Sequence, residues 1–418
     1  MTPQIFEKIF VAALTTLFLL KLWLSMRHVA HIRENRNEVP EDFRDRIALA
    51  DHQKAADYTI AVTRTGIVSD LVETILAFWF TLGGGLSLLD SFWAERISGP
   101  ILEGCALIGS AVLVMEFFDM PVSVYRTFLV EAKFGFNRMT PALFFIDALK
   151  KGALAAILGF PLVAGILWLM SEMGRNWWIE AWFAWMAFNL LILSIYPNWI
   201  APFFNQFRPL EDSETRVRIE RLLAKCGFSS KGLFVMDGSK RSSHGNAYFS
   251  GFGKTKRIVF YDTLLEKLDG SEIEAVLAHE LGHFMHRHIV KRIMVSFAFS
   301  LIFLWALGMA KGQSWFFEGL HAASRSDAMA LLLFFMVAPS FTFFMKPLSS
   351  FYSRKNEFEA DAYAAKQAGG EDLIRALTKL YQESARTLTP DPLYSMYHDS
   401  HPPASIRIAH LRKAMHNS

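Results

Sequence analysis

"AVLAHELGHFMHRHIVKRIMVSFAFSLIFLWALGMA", residues 275 to 310, joins two kinds of sequence that have opposite needs. Its first part holds HELGH, a spacing that sets two imidazoles and a carboxylate on one stretch of helix. Its second part, from Ile289 onward, is apolar and long enough to cross a bilayer, which takes about 20 residues. The first part suits water chemistry and the second excludes water. Their adjacency decides how the rest of the chain is read.

Composition agrees with the second part. Of 418 residues, 52% are hydrophobic and 20% charged, a balance that a soluble chain could hide only with difficulty. Seven stretches are apolar enough to span, at about 5–25, 66–90, 99–124, 150–172, 176–196, 289–312 and 327–348. The first, "IFEKIFVAALTTLFLLKLWLS", is read as a retained span rather than a signal peptide, because no small-residue cleavage site follows it. The C-terminal "KAMHNS" carries no lipidation or retention motif.

Lys and Arg concentrate in 26–65, 125–151, 197–288 and 349–418, and are sparse near 91–98, 173–175 and 313–326. With seven spans the four basic segments share one side. The positive-inside rule then puts the N-terminus outside and the C-terminus in the cytoplasm. The net charge of +3 is too small to suggest a nucleic-acid partner. The two cysteines, Cys105 and Cys226, exclude a CxxC zinc site and make no disulfide expected.

The expected fold class is mainly α: a polytopic helical membrane protein with about seven spans, plus a zinc-protease-like domain carrying a small β-hairpin. Four parts follow. Residues 1–196 hold spans one to five, and 197–288 a polar segment with an edge strand and the HExxH helix. Residues 289–348 form a hairpin of spans six and seven, and 349–418 a C-terminal segment. Within the polar segment, "SETRVRIERLLAKCG" has helical periodicity ending at Gly227, and "GLFVMDG" reads as a strand. "NAYFSGF", "GKTK" and "RIVFYD" read as a hairpin. Ser271 and Glu274 read as a capping box opening the HExxH helix.

His279 and His283, four apart on a helix, point at one ion. Glu280, beside His279, reaches a water there and serves as general base. Gly282 inside the motif costs about 1 kcal/mol of helix stability, which implies a close packing contact. A catalytic zinc takes a third protein ligand and keeps one position open. The candidate is Glu357 in "SRKNEFEADAYAAKQAG", 353–369, with Asp361 on the same face as an outer partner for a ligand histidine. Glu359 points elsewhere and reads as solvated. Two spans separate the motifs, so the chain returns to the side it left and they can meet.

These motifs resemble the type I CAAX prenyl proteases, which are integral-membrane zinc metallopeptidases. The likeness rests on "HELGHFMHRHIVK", "SRKNEFEADAYA" and "SHPPASIRI", and extends to 131–147, 196–210 and 238–265. It implies one zinc ion held by His279, His283 and Glu357, with Glu280 as catalytic base. It also implies roles the residues alone do not give. His401 and Arg407 match groups near the scissile carbonyl. Asn246, Ala247, Tyr248 and Phe249 match an edge strand that holds substrate extended. His288 falls at a family position of unassigned role, whereas His286 and His244 read as structural or solvated. "PPASIRI" lacks the acidic residue that commonly precedes the Arg. The resemblance also implies a water-filled chamber among the spans, which hydropathy cannot distinguish from a packed bundle. Glu73, Asn189 and Ser194 are polar residues within spans that suit a wet interior.

The expected partners are the lipid bilayer and a peptide or protein substrate, prenylated or handled in membrane quality control. The site is expected to face the cytoplasm. Without a C-terminal dilysine signal, a bacterial inner membrane is favoured over the endoplasmic reticulum. The alternatives are a transporter with a non-catalytic zinc site, or an inactive scaffold.

Overall fold

The computed structural model describes residues 1–230, 232–250 and 257–416. Helix α1, Pro3–Glu34, starts where the Thr2 hydroxyl accepts the Ile5 N–H and Pro3 takes a position that needs no donor. Lys21, set in its apolar stretch, lies 2.7 Å from Asp70 of α2, Leu49–Phe80, so the charge is paired rather than left in an apolar setting.

The expected second span, 66–90, is broken. Helix α2 meets α3, Gly85–Ala94, at a 55° bend. The cause is the run Gly83–Gly85. Gly84 takes φ +76°, and a Cβ on Gly83 would lie 2.8 Å from Trp79 Cα. Hydropathy, an average over side chains, does not register such a break.

The helices α4, Pro100–Tyr125, α5, Pro141–Glu172, and α6, Trp177–Ile195, follow. Wider π turns at Arg126–Glu131 and Tyr196–Ile200 extend α4 and α6, the second leading into the short α7, Ala201–Phe204. Six helical runs in the described chain are long and apolar enough to span, and seven if the bent pair is one span. The chain is a multi-pass membrane protein, mainly helical, as the sequence implied.

The polar segment builds β1, Phe207–Pro209, α8, Glu214–Lys225, β2, Leu233–Met236, β3, Ala247–Ser250, and β4, Arg257–Tyr261. Helix α8 is capped by Ser213 and stops before Gly227 at φ +62°, as its sequence suggests. The sheet order is β1-β2-β4-β3. Strands β2 and β4 run parallel, and the outer pairs are antiparallel. The expected hairpin forms with Tyr248 opposite Val259, and its loop, 251–256, lies outside the described residues. Strand β1 carries no sequence signal, being three residues that end in proline.

After α9, Asp262–Leu265, helix α10, Gly270–Met285, carries HELGH. Its capping box sits two residues before the expected one. Asp269 accepts the amides of Ser271 and Glu272 at 3.0 Å each, and the Glu272 carboxylate accepts the Asp269 amide at 3.0 Å. Buried Glu272 also pairs with Lys379 at 2.7 Å, while Glu274 sits 3.8 Å from Arg218. The box therefore falls on Asp269 and Glu272 and not on the expected Ser271 and Glu274, with buried Glu272 held by its tertiary partner.

Next come α11, His288–Lys311, α12, Ser314–Glu318, and α13, Asp327–Thr342. A tight turn at Phe343–Met345 joins α13 to α14, Lys346–Ala368, so the last span continues directly into the helix bearing Glu357. Helices α15, Gly370–Glu383, α16, Pro392–His398, and α17, Ala404–His416, complete the chain.

Two large apolar cores result. One packs Ile219, Phe260, Leu277 and Ile374 between sheet and helices of the polar domain, and the other packs Phe10, Phe80, Leu307 and Leu333 among the spans. The spans are unequal. In the run 327–368, 56% of the apolar window is buried, against 6% for α11 and 6% for the 174–204 run. A helix so little buried has open space or lipid on most sides, as a hollow bundle requires.

Candidate active site and metal centre

Helices α10 and α14 approach so closely that a Cβ on Gly282 would lie 2.8 Å from Ala360 Cα and 3.0 Å from its carbonyl oxygen. This is the contact that the glycine inside HELGH implied. It brings His279 and His283 of α10 against Glu357 of α14. The Nε2 atoms of the two histidines are 3.2 Å apart. His283 Nε2 is 3.2 Å from Glu357 Oε1, and His279 Nε2 is 3.5 Å from Oε2. Donors about 2.0–2.1 Å from a tetrahedral zinc are about 3.3–3.4 Å from one another. The two nitrogens and the Glu357 carboxylate thus lie at separations close to those on one face of a zinc tetrahedron, with a different carboxylate oxygen nearest each histidine. Glu357 Oε2 is buried and makes no hydrogen bond of its own, which fits an oxygen meant for a cation. Imidazole and carboxylate donors suit zinc.

Asp361, one turn beyond Glu357 and fully buried, lies 2.9 Å from His279 Nδ1. This leaves His279 Nε2 for the ion. Burial alone would lower the His279 pKa, but the neighbouring Asp361 and Glu357 carboxylates outweigh burial and raise it to about 9.

Arg407 is buried behind this pair. Its Nε donates to Asp361 Oδ2 at 2.9 Å and its Nη2 to Oδ1 at 2.5 Å, while Nη1 stays 3.7 Å from Glu357 Oε2. The family likeness suggested a group at the scissile carbonyl. The side chain is bonded to Asp361 on the ligand helix and is not among the residues that line the open side of the site. His401 is among them. Its side chain is half exposed, and its Nδ1 is 2.7 Å from Glu357 Oε2, out of line for a hydrogen bond. Glu280 faces the same opening, and its carboxylate makes no hydrogen bond or ion pair with any described residue.

The structure adds a chain of groups that the sequence reading missed. His283 Nδ1 is 2.9 Å from Nδ1 of His288, whose Nε2 is 3.0 Å from Glu359 Oε2. Glu359, expected to be solvated, is thus a partner of the site. The link depends on Arg287, whose left-handed φ of +55° turns the chain so that His288 comes back beneath His283. Helical periodicity does not show that turn. The available signal was the pair of histidines, His286 and His288, just after the motif.

Strand β3 ends the sheet, with one edge unpaired. The Tyr261 amide donates to the Asn246 carbonyl at 2.9 Å, which fixes the alternation of the ladder. By that alternation Ala247 and Phe249 turn their backbone groups to the open edge. The Asn246 side chain accepts the Ala247 amide at 2.8 Å, so of the two outward amides only that of Phe249 lacks this local cap. Tyr248 and Phe249 line the opening beside Glu280, His283, Glu357 and His401.

That opening leads into a cavity of about 1680 Å³ running up between the spans, with Ile108, Ile166, Trp185, Phe303 and Phe335 in its walls. It exceeds an ordinary small-molecule pocket of roughly 300–1,000 Å³. Glu73, Asn189 and Ser194 do not line it; its polar groups include Ser296, Ser300, Ser353 and Asn356.

Comparison with known proteins gives the same picture along the whole chain. Residues 28–206 match the family model for the CAAX prenyl protease N-terminal region with five membrane helices, and residues 209–415 match peptidase family M48. A CAAX prenyl protease 1 homolog of Arabidopsis thaliana is 32% identical over 96% of both chains. The CAAX prenyl protease 1 of Saccharomyces cerevisiae is 32% identical over 94% of this chain and 92% of its own. The crystal structure of S. mikatae Ste24p superposes with a TM-score of 0.89 at 30% identity, over 97% of this chain and 98% of that one. These relatives are eukaryotic, so the expected bacterial inner membrane finds no support in them.

Proposed function

Because the chain belongs to the type I CAAX prenyl proteases of peptidase family M48 and is a zinc-dependent membrane metalloendopeptidase, we propose that it cuts peptide bonds near the C-terminus of prenylated CAAX-type proteins. The observation that carries this reading is the junction of the donor triangle with the apolar-walled cavity. A chain end bearing an isoprenoid has both an extended peptide to lay on β3 and an apolar group to bury among the spans.

His279, His283 and Glu357 would hold one zinc ion per chain, which would supply Lewis acidity to the scissile carbonyl and to the attacking water. Glu280 accepts the proton of that water as its oxygen bonds to the carbonyl carbon, then returns the proton to the leaving amine nitrogen. His401 donates an N–H toward the oxygen on which negative charge develops. Asp361 and Arg407 act through His279, the guanidinium fixing the carboxylate and the carboxylate fixing the ring. The free edge of β3 takes the substrate as an added strand, whose main-chain bonds grip it with little sequence preference. The Lys and Arg bias of the loops supports a cytoplasmic position for this end of the molecule.

A transporter with an idle zinc site has no use for a Glu280 carboxylate unpaired among the described residues, or for a substrate edge beside it. The test is cleavage by purified, zinc-loaded protein of a farnesylated CAAX peptide and its unmodified twin. Preferred cleavage of the farnesylated peptide supports the substrate class. Equal rates on both would remove the prenyl requirement.

A further inference from the structure

A second group of metal-type donors adjoins the zinc ligands. Helix α10 ends at Met285, His286 caps it, Arg287 turns left-handed, and His288 opens α11. This turn stacks the rings of His286 and His288 with centroids 5.5 Å apart and planes 15° from parallel. Glu359 closes the group, and donor atoms of the three lie within 4.8 Å of one another. His288 is buried, Glu359 half-buried and His286 exposed, so the exposed ring can swing inward to tighten the set.

We propose that His286, His288 and Glu359 form a second divalent-cation site, of the zinc class, whose filling opposes catalysis. The proposal rests on the zinc reading of the main site. With His283 bound to zinc through Nε2, its ring proton sits on Nδ1 and is donated to His288 Nδ1 across 2.9 Å. His288 then carries its own proton on Nε2, donated to Glu359 across 3.0 Å. The result is a carboxylate–imidazole brace on a zinc ligand. A cation bound by His288 Nε2 and Glu359 displaces the Nε2 proton, which ends on Nδ1. Two N–H groups then face each other, and the hydrogen bond to His283 is lost. One site fills at the expense of the other's support.

The test uses the full-length protein in detergent, carrying its first equivalent of zinc. Free zinc is raised in metal-buffered steps, and bound metal is counted by mass spectrometry alongside peptide cleavage. Wild type is expected to take up a second equivalent with cleavage falling at the same midpoint. His286→Ala, an exposed change outside the catalytic groups, is expected to keep wild-type cleavage at low zinc. It should shift both midpoints upward by roughly tenfold or more. A single equivalent across the whole range overturns the proposal. So does a second step, or a loss of cleavage, that is the same in His286→Ala as in wild type. Absence of cleavage at one equivalent would instead count against the peptidase reading, and the metal count would still decide the second site.

Discussion

At the residue scale the site divides into groups that touch the reaction and groups that hold them. Asp361 and Arg407 hold. Removing either loosens His279, so Asp361→Ala and Arg407→Lys should each lower zinc affinity by about 10–100-fold in a chelator competition. Lysine keeps the charge but cannot form the two-pronged contact with Asp361. His401→Ala, by contrast, should leave zinc affinity near wild type and lower kcat.

The His279 pKa of about 9 in the metal-free site adds a pH dependence. Below that value a proton occupies the position that zinc needs. Apparent zinc affinity should therefore rise with pH, by about tenfold per unit for this one proton, and level off above about 9. The sign for the metal-free fold is opposite. A raised pKa means that the proton's stabilisation is complete below about 6.5 and is lost as pH climbs through about 9. Chelator competition and melting curves across this range would check both signs.

Much of the site was legible residue by residue. Positions four apart on a helix share a face, so His279 with His283 and Glu357 with Asp361 could be paired from spacing alone. Glu359 and His288 could not, because their meeting depends on a left-handed residue between helices. The bracing position of Arg407 could not either, since it follows from how α17 packs.

At the element scale the crossing of α10 and α14 is decisive. Gly282→Ala adds a methyl group where Ala360 leaves only 2.8 Å. Alanine gains about 1 kcal/mol of helix propensity over glycine, so an isolated α10 would be more stable. The protein should instead lose most of its zinc affinity, because the helices must separate and the donor triangle widens. Metal titration separates the two effects. At the edge of β3, N-methylation of the substrate amide that pairs with Phe249 should raise KM, whereas methylation one residue away should not.

The elements whose signals are local were legible: α8 from its period and cap, β2 and the β3–β4 hairpin from their apolar runs. The broken second span and the shifted cap of α10 were not. The first is set by Gly83 and Gly85 packing on Trp79 with Gly84 left-handed between them, and the second by Lys379, over a hundred residues away.

At the scale of the whole molecule, α11 and α13 carry the chain across the bilayer and back, and α14 continues α13 into the site. The apolar segment after HELGH is therefore the route by which the third donor arrives. The cavity between the spans brings room for water and substrate to the same place. Since zinc at the proposed site would tie α10 to a helix two spans later, stripping it should lower the melting temperature by mass action, and restoring it should recover the loss. Hydropathy located the apolar runs, seven of them if the bent pair counts as one span, but not the hollow between them, because lipid-facing and cavity-facing positions can both be apolar.

The central claim is that three residues hold the zinc while a fourth, beside them, performs proton transfer. It is tested most directly by measuring zinc content and peptide cleavage together in wild type, Glu280→Gln and Glu357→Gln. Glu280→Gln should retain one zinc per chain and lose cleavage by about 10²–10⁴-fold, and Glu357→Gln should lose the zinc itself. Cleavage by Glu280→Gln at the wild-type rate, or full zinc retention and cleavage by Glu357→Gln, would contradict the account.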